Sequence, residues 1–309
     1  MDTRMELQNE RSTSYKALPY NYVLTADIGG SHITGAICEC NENTVIKSTL
    51  CRAEFSSKAS AENILNSWAS VLWQVIKKAK GYPTKMGIAM PGPFDYQAGI
   101  SYIRGLKKYE CLYGLNIKQY LSDALMISQE DIRFRNDAEA ALAGETLSGS
   151  ATDFPSALGL TLGTGFGTAH FQNGRTTDLN WGSFPFLKSI ADDHLSSRWF
   201  LKRYHEITGL SVIGVKDLAV VAKDNYSARR VFKEFADNLC LFLERHLNKC
   251  SPEIIILSGN IAKSHKYFLP ELKRHFSKIT IELGHLGEDA ALLGAAELFS
   301  EDFISASIY

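Results

Sequence analysis

Two glycine-rich segments, each directly after a short apolar run, constrain the fold of this chain more than any other feature. Residues 27–31 (DIGGS) follow the run 22–26, and residues 162–168 (LGTGFGT) follow the run 157–161. Glycine lets backbone N–H groups approach an anion, because no Cβ stands in the way. A hairpin turn explains either segment alone about as well. Two such segments, with Asn136-Asp137 between them, favour phosphoryl transfer by a protein whose two halves hold one nucleotide.

The composition excludes several classes of protein. Of the 309 residues, 45% are hydrophobic and 22% are charged, and the net charge is -1. Near-neutral charge argues against nucleic acid as an obligatory partner, because phosphate backbones are bound by basic surfaces. We find no run of about 18 apolar residues, the length that spans a membrane. The polar first twenty residues lack the apolar core of a secretion signal. We expect a cytoplasmic protein with a small-molecule partner.

The cysteines favour a reducing compartment and no structural metal. Six are scattered along the chain, at positions 38, 40, 51, 111, 240 and 250, and no cluster has the spacing of a zinc motif. Cys38 and Cys40 fall in a predicted strand, where both would point to one face. We interpret them as small core or edge residues rather than as a metal or redox pair.

Periodicity predicts the same architecture in each half: a strand meander, then strands that alternate with helices. In the first half, we predict strands over 22–27, 33–40, 44–50, 85–90 and 132–135 and helices over 60–80 and 138–147. In the second half, we predict a strand–turn–strand unit over 157–171, strands over 253–258 and 278–283, and helices over 228–248, 265–276 and 288–300. The core-facing residues of the first helix include its tryptophans, Trp68 and Trp73.

This duplication predicts an α/β protein of two domains with a cleft between them. We expect an N-terminal extension over 1–21, an N-terminal domain over 22–135 and a C-terminal domain over 136–289. The last helix, about 290–309, is expected to pack on the N-terminal domain.

The order of the motifs resembles that of the ROK family of sugar kinases and sugar-responsive proteins, within the hexokinase–actin superfamily. The matching segments are 26–31 (ADIGGS), 87–95 (GIAMPGPFD), 136–141 (NDAEAA), 162–167 (LGTGFG), 255–260 (IILSGN) and 287–296 (GEDAALLGAA). Each segment alone is a weak signal, but six in the family's order are specific for the fold. The resemblance implies a two-domain, actin-like ATPase (ribonuclease H-like) fold and an ATP-dependent sugar kinase.

The resemblance also implies roles for single residues. Asp137 is expected to be the general base on a sugar hydroxyl, and Asp27 to orient Mg²⁺ through its water shell. The sugar is expected to contact Asn136, Pro91 and Gly92. The nucleotide-binding residues are expected to be Asp27, Gly29, Gly30, Ser31, Gly163, Thr164, Gly165, Gly167, Gly259 and Asn260.

The pair Asn136-Asp137 has two explanations. A carboxylate within hydrogen-bond reach of a sugar hydroxyl can take its proton as the phosphoryl group moves. Both residue types also cap helices well, and Ala138 opens a predicted helix. The surrounding motifs favour catalysis.

The chain departs from the family's pattern after the second glycine segment. Family kinases usually carry a Gly-Glu-x-Gly-His sugar-binding segment and a cysteine-rich zinc motif here, whereas residues 178–188 read DLNWGSFPFLK. We therefore expect no zinc. An unpaired sugar hydroxyl costs about 1–3 kcal/mol, so a different or less polar ligand is suggested, on which Trp181 and Phe184 are candidates to stack. Asp192, Asp193 and His194 are interpreted as a solvated helix start rather than as substitutes.

Three functions remain open. The first is an ATP-dependent kinase of a hexose or amino sugar, which the retained Asp27 and Asp137 favour. The second is a catalytically silent sugar-binding or regulatory homologue, which the altered 178–188 segment favours. The third is a transcriptional repressor, which is disfavoured because the first strand begins too early for a preceding DNA-binding domain. A homodimer is implied by family analogy alone.

Overall fold

In a computed structural model, residues 16–105 and 108–306 are described, and they divide into two compact units. Unit 1 contains the chain up to Ala140 and again from Ala291 onward, whereas unit 2 is the continuous stretch Ala141–Ala290. Most of the predicted N-terminal extension, residues 1–15, lies outside the described residues. Within the described ranges, no helix is long and apolar enough to cross a membrane.

The helices and strands follow one another in an order that repeats once. The first set is β1 (Tyr22–Ile28), β2 (His32–Glu39), β3 (Thr44–Glu54), α1 (Ala61–Ala79), β4 (Lys85–Met90), β5 (Phe94–Asp95), β6 (Ile100–Ser101), α2 (Ile117–Leu125), β7 (Ile132–Asn136) and α3 (Asp137–Ser148). The second set is β8 (Ser156–Leu162), β9 (Phe166–Gln172), β10 (Arg175–Asp178), β11 (Pro185–Phe186), β12 (Ser189–Ile190), α4 (Ala191–Leu195), α5 (Ser197–Thr208), α6 (Val215–Val221), α7 (Tyr226–His246), β13 (Ile254–Ser258), α8 (Leu269–His275), β14 (Thr280–Leu283), α9 (Asp289–Ala296) and α10 (Ser300–Ala306).

Unit 1 is built on a five-stranded sheet in the order β3-β2-β1-β4-β7. The meander β1–β3 is antiparallel, as predicted, and β1, β4 and β7 are parallel. In the register of the parallel strands, Asp27 pairs with Ala89, and Met90 pairs with Asn136. The carboxyl ends of parallel strands are where α/β sheets bind ligands. The register therefore places Asp27 and Asn136 at one edge of the sheet.

Unit 2 repeats this topology with the order β10-β9-β8-β13-β14. Here β8, β9 and β10 are antiparallel, and β8, β13 and β14 are parallel. Thr161 pairs with Ser258, so the segments after β8 and β13 emerge at the same edge. The predicted internal duplication is confirmed at the level of strand order.

Helix α1 covers the unit 1 sheet, and its boundaries follow from local chemistry. The Ser60 hydroxyl accepts a hydrogen bond from the N–H of Asn63, and Trp68 and Trp73 are buried, as predicted. The left-handed cap is Lys80 rather than Gly81. Gly81 instead allows close packing, because a Cβ there would lie 2.3 Å from Leu18 Cδ2.

Two glycines let backbones touch where α3 and α9 pack. In unit 2, a Cβ on Gly144 would lie 2.1 Å from the carbonyl oxygen of Ala290. In unit 1, a Cβ on Gly294 would lie 1.9 Å from the carbonyl oxygen of Ala140. No side chain larger than hydrogen fits at either position, which explains the glycines of these two motifs.

The C-terminal helix α10 is tied to strands of unit 1 by charge. The Asp302 carboxylate pairs with Lys85 at 2.6 Å and with Arg133 at 3.0 Å. Arg133 also donates to the carbonyl oxygen of Leu298 at 2.6 Å. Unit 1 is thus assembled from the beginning and the end of the described chain.

Three predicted helices differ from those observed. The helix predicted over 228–248 ends at His246, and residues 262–267 form a separate 3₁₀ turn before α8. The break before α8 is explained by Pro270, because proline lacks an N–H and fits only the first turn of a helix. The helix predicted over 288–300 is α9 followed by a 3₁₀ turn. Helices α2, α5 and α6 were not predicted, and α4 was expected only as a helix start at residues 192–194.

Candidate active site

The sequence left open whether Asn136 and Asp137 cap a helix or take part in catalysis, and the structure distinguishes the two residues. The Asn136 side-chain oxygen accepts hydrogen bonds from the N–H groups of Ala138 (2.8 Å) and Glu139 (3.3 Å), so Asn136 caps α3. Asp137 is the first residue of the helix, and its Oδ1 accepts from the adjacent Ala138 N–H, at 2.9 Å. The Asp137 carboxylate is therefore not needed to cap α3.

The surroundings of Asp137 suit a proton acceptor. Burial raises the pKa of the Asp137 carboxyl above its ordinary value, because removal from water disfavours the charged form. The positive charge of Lys108 and the N–H of Ala138 act in the opposite direction. A general base works best when its pKa approaches the working pH, and the raised pKa moves Asp137 in that direction.

Tyr96 connects the residues predicted to meet the sugar. Its hydroxyl donates to the carbonyl oxygen of Met90 at 3.1 Å and accepts from Nδ2 of Asn136 at 3.2 Å. A Cβ on Gly92 would lie 3.2 Å from the same hydroxyl. Pro91 directly follows Met90 and is buried. The structure thus brings Asn136, Pro91 and Gly92 together around a tyrosine that the sequence analysis missed.

The first glycine loop is held through a backbone carbonyl. The N–H of Gly29 donates to the carbonyl oxygen of His32 at 2.9 Å, and the Tyr109 hydroxyl donates to the carbonyl oxygen of Gly29. Among the described residues, the N–H groups of Gly30 and Ser31 have no hydrogen-bond partner. Unpaired N–H groups in a glycine loop form a cradle for an anion, so this loop fits a phosphate group.

Tyr109 stands beside both predicted acidic residues. Its side chain is fully buried, and its ring centroid is 5.7 Å from that of Trp68. Burial and the charges of Asp27 and Asp137 raise the pKa of the Tyr109 hydroxyl, which remains protonated and able to donate. Asp27 and Asp137 therefore lie in the electrostatic surroundings of one phenol.

The second glycine loop is held partly through its own N–H groups. Gly163 donates to the carbonyl oxygen of Gly165 at 3.0 Å, and Phe166 donates to Oδ1 of Asp192 at 2.6 Å. The backbone N–H and the hydroxyl of Ser197 both donate to the carbonyl oxygen of Gly163, each at 2.8 Å. Within the described part of the chain, the N–H groups of Thr164 and Gly165 have no partner.

The sequence analysis interpreted Asp192 as part of a solvated helix start. In the structure, Asp192 also holds the second glycine loop. The second carboxylate oxygen of Asp192 forms an ion pair with the exposed Arg198. Of residues 192–194, only Asp193 is exposed. The contact of Asp192 with the Phe166 N–H spans 26 residues of sequence, and no local pattern indicates it.

The predicted adenosine segment lies against the second glycine loop. Gly259 has a φ of +86°, and a Cβ there would lie 2.5 Å from the carbonyl oxygen of Leu162. That carbonyl accepts the N–H of Ile261 at 2.9 Å. Only glycine combines this left-handed conformation with so close an approach. The structure thus places Gly259 against Leu162, the residue directly before the Gly163–Gly167 loop, and Asn260 follows Gly259 in the chain.

Trp181 is not available to stack on a sugar, which corrects one expectation. Its side chain is 2% exposed and packs against Phe242 and His246, with ring centroids 6.1 and 5.5 Å apart. The Phe184 ring lies 5.5 Å from His246 and under the ammonium of Lys249. Burial, together with the nearby charges of Lys249 and Arg245, lowers the pKa of His246. This segment is built into an aromatic cluster of unit 2.

No group of three or more histidine, cysteine, aspartate or glutamate side chains in residues 16–105 and 108–306 is arranged to hold a metal ion. That statement concerns protein ligands alone. The expected Mg²⁺ site, in which Asp27 contacts the ion through water, needs no such cluster.

Comparisons with known proteins find sugar kinases similar to this chain. The chain is 22% identical over 307 residues to an N-acetyl-D-glucosamine kinase of Haemophilus influenzae (strain 86-028NP), covering 88% of this chain and 97% of that protein. A ROK family glucokinase from Streptomyces griseus, solved in complex with glucose and AMPPNP, has a TM-score of 0.75 at 18% identity. The match covers 90% of this chain and 98% of the glucokinase chain.

A ROK family transcriptional regulator, a homologue of the E. coli MLC protein, is also similar in structure. Its TM-score is 0.73 at 15% identity, with 89% of this chain and 76% of that chain covered. At such identities the solved structures show the fold, and the predicted actin-like ATPase fold is confirmed. The model of the ROK family matches residues 23–182, more than half of the sequence. The chain therefore belongs to the ROK family.

Proposed function

We propose that the protein is an ATP-dependent kinase that phosphorylates a hydroxyl group of a hexose or amino sugar, with Asp137 as the general base. The observation that carries this proposal is the Asp137 carboxylate. It lies at the start of α3, is not needed as the helix cap and has a raised pKa. The kinase names of the N-acetyl-D-glucosamine kinase and glucokinase relatives support the same chemistry.

The proposed reaction transfers the γ-phosphoryl group to the sugar. The sugar hydroxyl gives its proton to Asp137 while its oxygen forms a bond to the γ-phosphorus. The bond from the γ-phosphorus to the bridging oxygen breaks, and its electron pair stays on the β-phosphate of ADP. A sugar hydroxyl is a weak nucleophile, so the proton acceptor has to be in place before transfer begins.

The remaining residues are proposed to bind the nucleotide and to orient Mg²⁺. Gly30 and Ser31 are proposed to donate their unpaired N–H groups to phosphate, and so are Thr164 and Gly165 of unit 2. Gly259 and Asn260 are proposed to lie against the adenosine. Bound Mg²⁺ would neutralise phosphate charge, and Asp27 is proposed to orient it through water.

The residues proposed to bind the sugar are neighbours of Asp137. The Nδ2 group of Asn136 is held by Tyr96 at 3.2 Å, which orients its amide, and one N–H of that amide remains to bond a sugar hydroxyl. Pro91 and Gly92 line the same place. We propose that these residues position the acceptor hydroxyl toward Asp137.

The test is a coupled measurement of ADP release over hexoses, N-acetylhexosamines and fructose. We expect at least one sugar to stimulate ADP release well above the sugar-free rate with Mg-ATP. The product is then identified by mass, since a phosphorylated sugar separates transfer to sugar from simple ATP hydrolysis. Stimulation by none of these acceptors, with protein shown to be folded, would overturn the kinase.

A second function, a sugar-binding homologue without catalysis, is favoured by one observation. The segment that follows the second glycine loop is committed to an aromatic cluster around Trp181 and offers no glutamate or histidine at the family's sugar-binding positions. Calorimetric titration with the same sugars separates the two functions: binding without any turnover supports the silent homologue.

A further inference from the structure

The side chain of Lys108 lies beside the first glycine loop, although none of the sequence motifs includes it. Its Cδ atom lies 3.9 Å from the position that a Cβ on Gly30 would occupy. Gly30 carries one of the two N–H groups of that loop without a partner among the described residues. The lysine stem therefore lies against the part of the loop that is offered to phosphate.

The backbone at Lys108 is fixed by its neighbour. The N–H of Tyr109 donates to the carbonyl oxygen of Ser57 at 2.9 Å, and the Tyr109 hydroxyl donates to the carbonyl oxygen of Gly29. The fully buried Tyr109 ring packs on Trp68. Lys108 thus directly precedes a residue that is anchored beside the loop.

The ammonium group of Lys108 also acts on the proposed base. Of the charges that favour the ionised form of Asp137, that of Lys108 is the largest. Lys108 is half-buried, yet it forms no ion pair or hydrogen bond with any residue that the structure describes. Charges withdrawn from water are normally paired. A partner for this ammonium is therefore expected to be an anion that arrives with the substrates.

We propose that Lys108 binds the γ-phosphoryl group of ATP while that group moves to the sugar hydroxyl, and this rests on the function proposed above. The Lys108 stem lies beside Gly30 of the phosphate loop, and its positive charge favours the ionised form of Asp137. The group being transferred passes between those two positions.

The chemistry matches a lysine. As the sugar oxygen bonds to the γ-phosphorus and the bridging oxygen leaves with ADP, negative charge is spread over three oxygens of the moving group. An ammonium on a flexible stem can follow those oxygens, and pre-placed positive charge of this kind is among the largest contributions to phosphoryl transfer. The proton still goes to Asp137, so Lys108 stabilises charge and transfers no proton.

The test compares Lys108→Met, Lys108→Arg and the matched control Lys58→Met, an exposed lysine of the same unit. We expect Lys108→Met to lower kcat about 10²-fold, in the range for removing one charge-stabilising donor. The KM for the sugar should change less than about threefold, because the uncharged acceptor does not need the ammonium. Lys108→Arg should recover part of kcat, and Lys58→Met should match the parent.

A nucleotide titration keeps the inference separate from the proposed function. Lys108→Met should weaken Mg-AMPPNP binding more than Mg-ADP binding, because only AMPPNP has a γ-phosphoryl group. This comparison works even if no sugar is phosphorylated. Equal effects on the two nucleotides, an unchanged kcat, or a loss confined to the KM of the sugar would overturn the role of Lys108. Thermal melting of each variant excludes loss of folding.

Discussion

The two glycine loops occupy equivalent places in the two units and are both held through a backbone carbonyl, but among the described residues only the loop of unit 2 also donates to a carboxylate. In unit 1, the Tyr109 hydroxyl donates to a carbonyl of the loop, and the N–H groups of Gly30 and Ser31 remain unpaired within the described chain. In unit 2, the Asp192 carboxylate accepts a loop N–H, that of Phe166. Each loop thus keeps two N–H donors for an anion, and the loop of unit 2 also has the Asp192 carboxylate within hydrogen-bond distance of its backbone.

This difference shows that a glycine motif alone does not fix phosphate affinity. A carboxylate beside an anion site opposes binding by Coulomb repulsion, and its ion pair with Arg198 offsets part of that repulsion. We infer that the loop of unit 1 contributes more to phosphate binding than the loop of unit 2. The predictions below test the contribution of the second loop, the effect of the Asp192 charge on it, and the placement of the base in unit 1.

The largest effect is expected at the base. Asp137→Asn should lower kcat about 10²- to 10⁴-fold, because the amide cannot accept the hydroxyl proton. Binding of Mg-ADP should be nearly unchanged, as calorimetry will measure. Activity within a few-fold of the parent would remove Asp137 from the mechanism and, with it, the catalytic role assigned to unit 1.

A large effect is also expected from Gly165→Val in the second loop. A Cβ there would already stand 3.1 Å from Oδ1 of Asp192, and the branched side chain would cover the unpaired N–H groups beside it. The rise in melting temperature caused by Mg-ATP should disappear, while the ligand-free melting temperature stays close to that of the parent. Gly214→Val is the matched control, since nothing lies within 4 Å of a Cβ at Gly214. A retained nucleotide shift in Gly165→Val would make the second loop dispensable.

The pH dependence of kcat/KM should report the raised pKa of Asp137. The base is active as the carboxylate, so activity is lost as the pH falls through its pKa. Because burial raises that pKa from the ordinary 3.8, the acidic limb should lie at a pH above that value. A limb at or below the ordinary value would show that burial does not control this carboxyl in the free enzyme.

The smallest effects are expected from variants that separate the charge of Asp192 from its hydrogen bond to the second loop. Asp192→Asn keeps an oxygen for the Phe166 N–H and removes the negative charge, so Mg-ATP should bind about two- to fivefold more tightly at low salt. Arg198→Met leaves that charge uncompensated and should weaken binding by a similar factor. Calorimetry at low and high salt measures both, and the two shifts should shrink as salt is added. Shifts of the same sign would contradict the electrostatic explanation.

The sequence was sufficient for the elements that carry a local signal. Alternating apolar residues and glycine turns predicted β1, β4, β7, β8 and β13, and the strand ends that place Asp27 and Asn136 follow from them. The opening of α3 was also predictable, since Asn and Asp are strong capping residues. What the local pattern left open was which of the two residues caps, and the hydrogen bonds assign that task to Asn136.

The residues that complete the candidate site could not be predicted, because their contacts are distant in sequence. Tyr109 reaches Gly29 across 80 residues, and Tyr96 reaches Asn136 across 40. Neither tyrosine stands in a periodic pattern, and although Tyr96 directly follows the 87–95 motif, nothing in that motif indicates its distant partner. Trp181 misled for a related reason: aromatic side chains are equally suited to stack on a ligand or to fill a core, and only packing decides between the two.

The division of unit 1 between the first 140 residues and those after Ala290 affects its biosynthesis. Helix α10, whose Asp302 pairs with Lys85 and Arg133, is the last described element that a ribosome makes. Chains generally fold domain by domain as they are synthesised, the N-terminal part first. Here the order is reversed, because all of unit 2 is synthesised before the C-terminal helix that packs on the β-sheet of Asp27. Unit 2 can therefore fold before unit 1 is complete. Nascent chains stalled before residue 291 are thus expected to carry a folded unit 2 and an unfinished unit 1.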